Sequence, residues 1–236
     1  AITTAGYNST LGKDSLTTNI LSSHNVAIGH SALFTHNLAS AGAGYNTAVG
    51  SAAGAYITTG THNTIIGGLA GDAITDGAQN VVVGYEALTA GISSFYNTAI
   101  GYEALKTDTT GRHNLAIGRK VMYSQNNTNS DNMYNTCVGH SSSYYNVTGT
   151  ANTCLGYAAG HGASAQSHSS NTFIGYSAGY AITTGTSNTY VGISAGQATT
   201  SGANNLFLGK DAGRTGSPGG NLTTQSNIIV LGDENI

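Results

Sequence analysis

Charge is what this chain has least of. Only 7% of its 236 residues are Asp, Glu, Lys or Arg, against roughly a quarter in an ordinary soluble domain. Seven Lys and Arg face ten Asp and Glu, for a formal charge of −3. No basic stripe exists to displace counterions from a phosphate backbone, which argues against nucleic acid as a partner. Tryptophan is absent and proline occurs once, at Pro218. No apolar run approaches the ~20 residues of a membrane span, so membrane insertion is not expected. The opening "AITTAGYNSTLG" has neither the basic nor the apolar segment of a signal peptide.

What the chain has instead is 34 glycines among many Ser, Thr and Asn. That mixture fits either a flexible low-complexity polymer or a structure that closes its backbone in regular ladders and needs little core per residue. Periodicity decides between them. A motif of Asn, two residues, an aliphatic and Gly closes at thirteen glycines, from Gly12 to Gly232, and eight of the twelve intervals are 17 residues. Its first copy already lies in the opening residues, so the chain is expected to be a piece of a longer or processed protein.

Aligned columns carry the physics. The residue before the Gly is always aliphatic, from Leu11 and Ile28 to Leu208 and Leu231. Two positions earlier stands mostly Thr, Val or Leu, on the same face of a strand. Between them the column reads Ala27, Ala48, Ile65, Val82, Ala99, Ala116, Cys137, Cys154, Phe173, Tyr190 and Phe207. A strand apolar on both faces is buried on both. One face packs inside the chain's own coil; the other, taken to be the middle column, is predicted to meet further copies of the chain. The cysteines stand where other copies carry Ala, and are read as small apolar side chains rather than as a disulfide or metal pair.

The predicted fold is all-β: a parallel β-solenoid of about 13 coils, one repeat domain over 1–236, its strands stacked about 4.8 Å apart. Stacked Asn side chains would bond coil to coil, and Gly would supply the side-chain-free corner. Insertions that lengthen the period fall at 34–45, 123–134, 161–170 and 213–226.

Chemistry is sparse. His24, His62 and His113 share a column with Tyr7, Tyr45, Tyr96 and Tyr134, which predicts a His/Tyr ladder rather than metal ligands. Glu86 and Glu103 stand at equivalent positions of neighbouring coils, and no nucleophile, base and orienting group assemble. "GYSAG" at 175–179 imitates a nucleophile elbow, but "GISAG" at 192–196 is its repeat equivalent. No enzyme, metal or cofactor is expected. Insertions on a rigid scaffold often carry recognition. Tyr123, Asn126, Asn127, Asp131 and Tyr134, with Tyr144 and Tyr145 in the next coil, combine aromatic rings and amides in a composition suited to sugar. The alternative is loops that hold no ligand.

The "NTAIGYEAL" array resembles the repeat shafts of bacteriophage tail fibres, and also the heads of trimeric autotransporter adhesins, which are left-handed parallel β-rolls built on "SVAIG"-like motifs. The closing "SNIIVLGDENI" is similar to the segment that precedes an endosialidase-type intramolecular chaperone. The resemblance covers nearly the whole chain. It implies a homotrimer whose interface is Ala27, Ala48, Ile65, Val82, Ala99, Ala116, Phe173, Tyr190 and Phe207. It further implies a place on the virion, outside the cell, attached to upstream tail components and binding host surface polysaccharide or protein. A bacterial adhesin head and a self-assembling extracellular filament are the alternatives.

Overall fold

The computed structural model describes residues 6–129, 131–214 and 220–233. Of the insertion at 213–226, residues 215–219 lie outside the described residues, as do Ser130 and the last three residues of the closing segment. No helix occurs among the described residues.

By its internal contacts the chain divides into two compact units, Ala1–Asn114 with Asn126–Asn132, and Leu115–Gln125 with Met133–Ile236. The first unit holds β1 (Ser9–Leu11), β2 (Ser22–Ser23), β3 (Val26–Ile28), β4 (Gly42–Ala43), β5 (Thr47–Val49), β6 (Thr64–Ile66), β7 (Val81–Val83) and β8 (Thr98–Ile100). All of these except β2 and β4 are rungs of the repeat, paired parallel in sequence order with repeat-equivalent residues in register, as in Ile65↔Val82 and Val82↔Ala99. The 34–45 insertion returns to the fold as β4, which pairs with β2. The second unit holds β9 (Leu115–Ile117), β10 (Thr136–Val138), β11 (Thr153–Leu155), β12 (Thr172–Ile174), β13 (Thr189–Val191), β14 (Leu206–Leu208) and β15 (Ile229–Leu231). They stack in the same way. Each unit is thus a parallel β-solenoid with spacing near 17 residues, as the period predicts.

Each rung is three residues long because Asn and Gly bound it. At Gly84, φ is +133°, and an added Cβ would come 2.5 Å from the carbonyl oxygen of Gly101. The glycine column therefore sets how closely coils approach. Beyond it the backbone alternates hand. Glu86 and Leu88 have φ of +52° and +47°; the Glu86 N–H donates back to Gly68 O (3.1 Å) and the Leu88 N–H forward to Ala104 O (2.9 Å). Left-handed backbone costs a non-glycine residue roughly 1 kcal/mol. Here it is offset by pairing the N–H groups of Glu86, Ala87 and Leu88 in a segment that has no sheet to join.

The Asn column forms the predicted ladder. Asn80 Oδ1 accepts the Asn97 backbone N–H (3.0 Å), while Asn80 Nδ2 donates to Asn63 Oδ1 (3.0 Å) and to Ser94 O across its own coil (2.8 Å). In the second unit Asn152, Asn171, Asn188 and Asn205 repeat the backbone step. The irregular last copy is explained by Ile228, whose N–H takes the place of an Asn on Asn205 Oδ1 (2.9 Å).

One expectation is overturned. Ala27, Ala48, Ile65, Val82, Ala99, Ala116, Phe173, Tyr190 and Phe207, predicted to face other chains, are all 0% exposed in the isolated chain. They point into the coil, not away from it. There they meet the column eight residues past the Asn, which supplies Leu33, Leu88, Leu105 and Met122 opposite Ala or Val and glycine opposite the aromatics. The outward face belongs to the other two residues of each strand: Ile28 is 38% exposed, Ile66 41%, Leu155 48% and Leu208 37%.

Candidate interaction surfaces

Three kinds of surface bear on function: the outer sheet faces, the insertion residues and the side-chain columns beside the turns. In each unit the outer sheet face alternates mostly Thr, Val or Leu with an aliphatic, all uncharged and half-buried or exposed. In the second unit this face also carries an open groove of about 350 Å³ at Thr189, Leu206 and Ile229, edged by Asn204 and Asn227. Those two amides are bonded to each other (2.7 Å).

The predicted receptor residues separate into two sets. Asn126, Asn127 and Asp131 belong to the first unit. Asn126 Oδ1 accepts the Thr109 hydroxyl (3.0 Å). Asn127 is buried; its carbonyl accepts Thr109 Oγ1, its N–H donates to Asp108 Oδ1 (3.4 Å), and its side-chain oxygen accepts the Asn129 N–H (2.8 Å). It braces the loop and offers nothing outward. Asp131 is exposed.

Tyr123, Tyr134, Tyr144 and Tyr145 belong to the second unit. Tyr134 is exposed. Tyr123, Tyr144, His161 and Tyr180 form a stack with ring centroids 5.0, 5.4 and 4.7 Å apart, and Tyr145 sets its edge against Tyr144 at 4.6 Å. A second stack runs through His140, Tyr157 and Tyr176. In the first unit Tyr7, His24, Tyr45 and His62 form the predicted His/Tyr ladder at 4.9, 5.2 and 5.2 Å. Such rings follow from the coil repeat, which brings like side chains to stacking distance. Their faces cover one another, so they present edges rather than the open faces that a sugar uses.

The first unit also holds a trough of about 310 Å³ that no sequence motif marks. Ala52 and Ala55 form its floor, Phe34 and Tyr56 flank it, and His30 and Asp72 stand at its rim.

Titratable groups inside the coils serve structure. His36 and His168 are buried, and burial lowers the pKa of each to about 4. Ser22 Oγ lies 2.8 Å from His36 Nε2, and Gly160 O 3.1 Å from His168 Nε2. Burial raises Asp108 to about 6, against the opposing hydrogen bond from the Gly111 N–H (3.0 Å). Glu86 and Glu103, at equivalent positions of neighbouring coils, share Lys106, whose Nζ lies 2.6 and 2.5 Å from their oxygens. Cys137 and Cys154 are register partners, both buried thiols; the Cys137 side chain, then burial, pushes Cys154 up. Ser177 and Ser194 of the elbow-like strings are buried at equivalent corners. Among the described residues no group of three or more His, Cys, Asp or Glu gathers to hold a metal.

The chain matches no family model, no curated protein and no solved structure.

Proposed function

We propose that the chain is a shaft and host-attachment segment of a phage tail fibre. In this reading it is a homotrimer carried outside the cell on the virion, joined to upstream tail components and binding host surface polysaccharide or protein without catalysis. The observation that carries the reading is the outer sheet face. Its aliphatics stay wet in a lone chain although the strand midpoints beneath them are already fully enclosed. Covering the exposed part of one such side chain is worth on the order of 1 kcal/mol, and the gain recurs on every rung. Three copies packed on these faces remove them from water in a closed assembly. Three identical weak receptor sites then act together.

Light scattering on the purified chain tests this. Three times the chain mass at micromolar concentration is the expected result, and a monomer overturns the trimer. Adsorption of the labelled chain to susceptible cells tests attachment separately, and its absence overturns the receptor role.

A further inference from the structure

We propose that the trough between Phe34 and Tyr56 binds a neutral pyranose ring, one residue of a polysaccharide. The inference rests on the attachment role proposed above and gives it a ligand class and a location in the first unit.

The trough exists because of two alanines. Six and nine residues past their Asn, neighbouring coils carry Ser31 and Phe34 on one side and Leu69 and Asp72 on the other, while the middle coil carries Ala52 and Ala55. Two short side chains in register between longer ones leave a gap one coil wide. Its volume of about 310 Å³ lies at the small end of the range, about 300–1,000 Å³, of small-molecule sites.

The aromatic walls differ from the stacked rings elsewhere in the chain. Among the described residues neither Phe34 nor Tyr56 contacts another ring, and Tyr56 is 58% exposed. Tyr56 leaves its ring open to the apolar C–H face of a sugar, and the half-buried Phe34 lines the trough beside it. The rim supplies what the hydroxyls need. Asp72 Oδ1 accepts the Thr89 hydroxyl, which orients the carboxylate. His30 is exposed, its Nε2 3.9 Å from Asp14 Oδ2. Asp72 lines the trough, while Asp14 lies beyond His30 and is paired with Lys13 (3.6 Å); the carboxylate at 72 disfavours an anionic sugar, and a neutral one fits.

The walls are held in place before any ligand arrives. The Ala52 N–H donates to His30 O (2.8 Å) and the Tyr56 N–H to Asp72 O (2.9 Å), which tie floor and walls across three coils. Little ordering remains to oppose binding.

The test is amide chemical-shift mapping of the ¹⁵N-labelled chain with methyl glycosides of glucose, galactose and N-acetylglucosamine, and with sialic acid as the anionic comparison. Expected are saturable shifts with at least one neutral sugar, confined to residues around 30–34, 52–56 and 69–72, and none there with sialic acid. Ala55→Phe fills the gap with a side chain the same column already holds at Phe34, and should abolish the shifts while the remaining spectrum is preserved. Phe34→Ala should weaken binding at least tenfold, and Tyr144→Ala should leave it unchanged. Three results each overturn the proposal: no response to any neutral sugar, binding that survives both Ala55→Phe and Phe34→Ala, or shifts centred on the Tyr123 to Tyr180 stack. Oligomer mass and cell adsorption are separate readouts, so a sugar response in a monomer refutes the trimer without touching this site.

Discussion

The ring of Tyr190 lies against the bare α-carbon of Gly196, where an added Cβ would come within 2.3 Å of Cδ2. The same pairing recurs at Phe173 with Gly179 and at Phe207 with Gly213. Where the strand midpoint is Ala, as at Ala99 or Ala116, the facing position is Leu105 or Met122, and all four are fully buried. These coils therefore fill a similar interior volume by dividing it differently between two columns, whereas beside Ala48 the facing position is Gly54 and Ile57 and Ile65 fill the space.

A double-mutant cycle tests that reciprocity. Tyr190→Ala should cost about 3–5 kcal/mol by leaving a cavity. Gly196→Leu alone should cost about 1–3 kcal/mol by overpacking. The backbone is no obstacle, since Leu105 sits at the equivalent place with φ of +51° against +59° at Gly196. Combined, the two should restore part of the loss, with a coupling of about 1 kcal/mol or more in urea denaturation. Additive losses would show that the columns do not share volume.

Much of this was legible in the sequence. The period, the three-residue strands, the Gly corner and the Asn ladder all follow from identical residues stacking on one another. The error over the middle column had a physical source: alternation shows that a strand has two apolar faces but not which one is inside. The deciding signal was present in the facing column, because glycine at 179, 196 and 213 leaves room only if Phe173, Tyr190 and Phe207 point toward it. The trough was not legible, since the effect of Ala52 and Ala55 depends on which side chains lie a coil above and below. Asn127 turned inward for a similar reason, its bonds being set by the loop's path over Thr109 and Thr110.

Asn80→Ala isolates one ladder rung. It removes the acceptor of the Asn97 N–H and the donor to Ser94 O, whereas Asn63 Oδ1 keeps the backbone N–H of residue 80. Buried groups left unpaired cost about 1–3 kcal/mol each, so a loss of about 3–5 kcal/mol is expected, with faster hydrogen exchange at the Asn97 amide. Asn205 in the last coil pair should be more tolerant, because the residue it supports, Ile228, brings no side-chain amide of its own. Equal losses at both positions would argue against a cooperative ladder.

Acid should act on the two units differently. His36 and His168 have folded pKa values of about 4, below the ordinary 6.5. The unfolded chain therefore takes up protons first, and the stability that depends on neutral imidazole is lost as pH falls from 6.5 toward 4. Asp108, in the first unit, has the opposite sign. Its folded pKa of about 6 exceeds the ordinary 3.8, so its carboxyl destabilises the fold increasingly as pH rises through that window. Asp108→Asn keeps an oxygen for the Gly111 N–H and should raise stability at pH 7.5 by about 1–3 kcal/mol, with no gain at pH 4. Denaturant midpoints at the two pH values read the difference; a gain of equal size at both would mean that ionisation is not its cause.

The sharpest contrast between interior and surface lies in adjacent residues. Ile65 is 0% exposed and Ile66 is 41% exposed, on opposite sides of one three-residue strand. Ile65→Lys places an ammonium among apolar side chains with no partner, which should cost several kcal/mol or drive the amine to neutrality, and the thermal melt of the first unit should collapse. Ile66→Lys puts the same charge on the outer face, where water reaches it. Its circular dichroism should stay close to wild type. In the proposed trimer, however, three lysines would meet where three isoleucines had packed, and the mass from light scattering should fall to that of one chain. A trimer that tolerates Ile66→Lys would mean that the copies meet through some other surface.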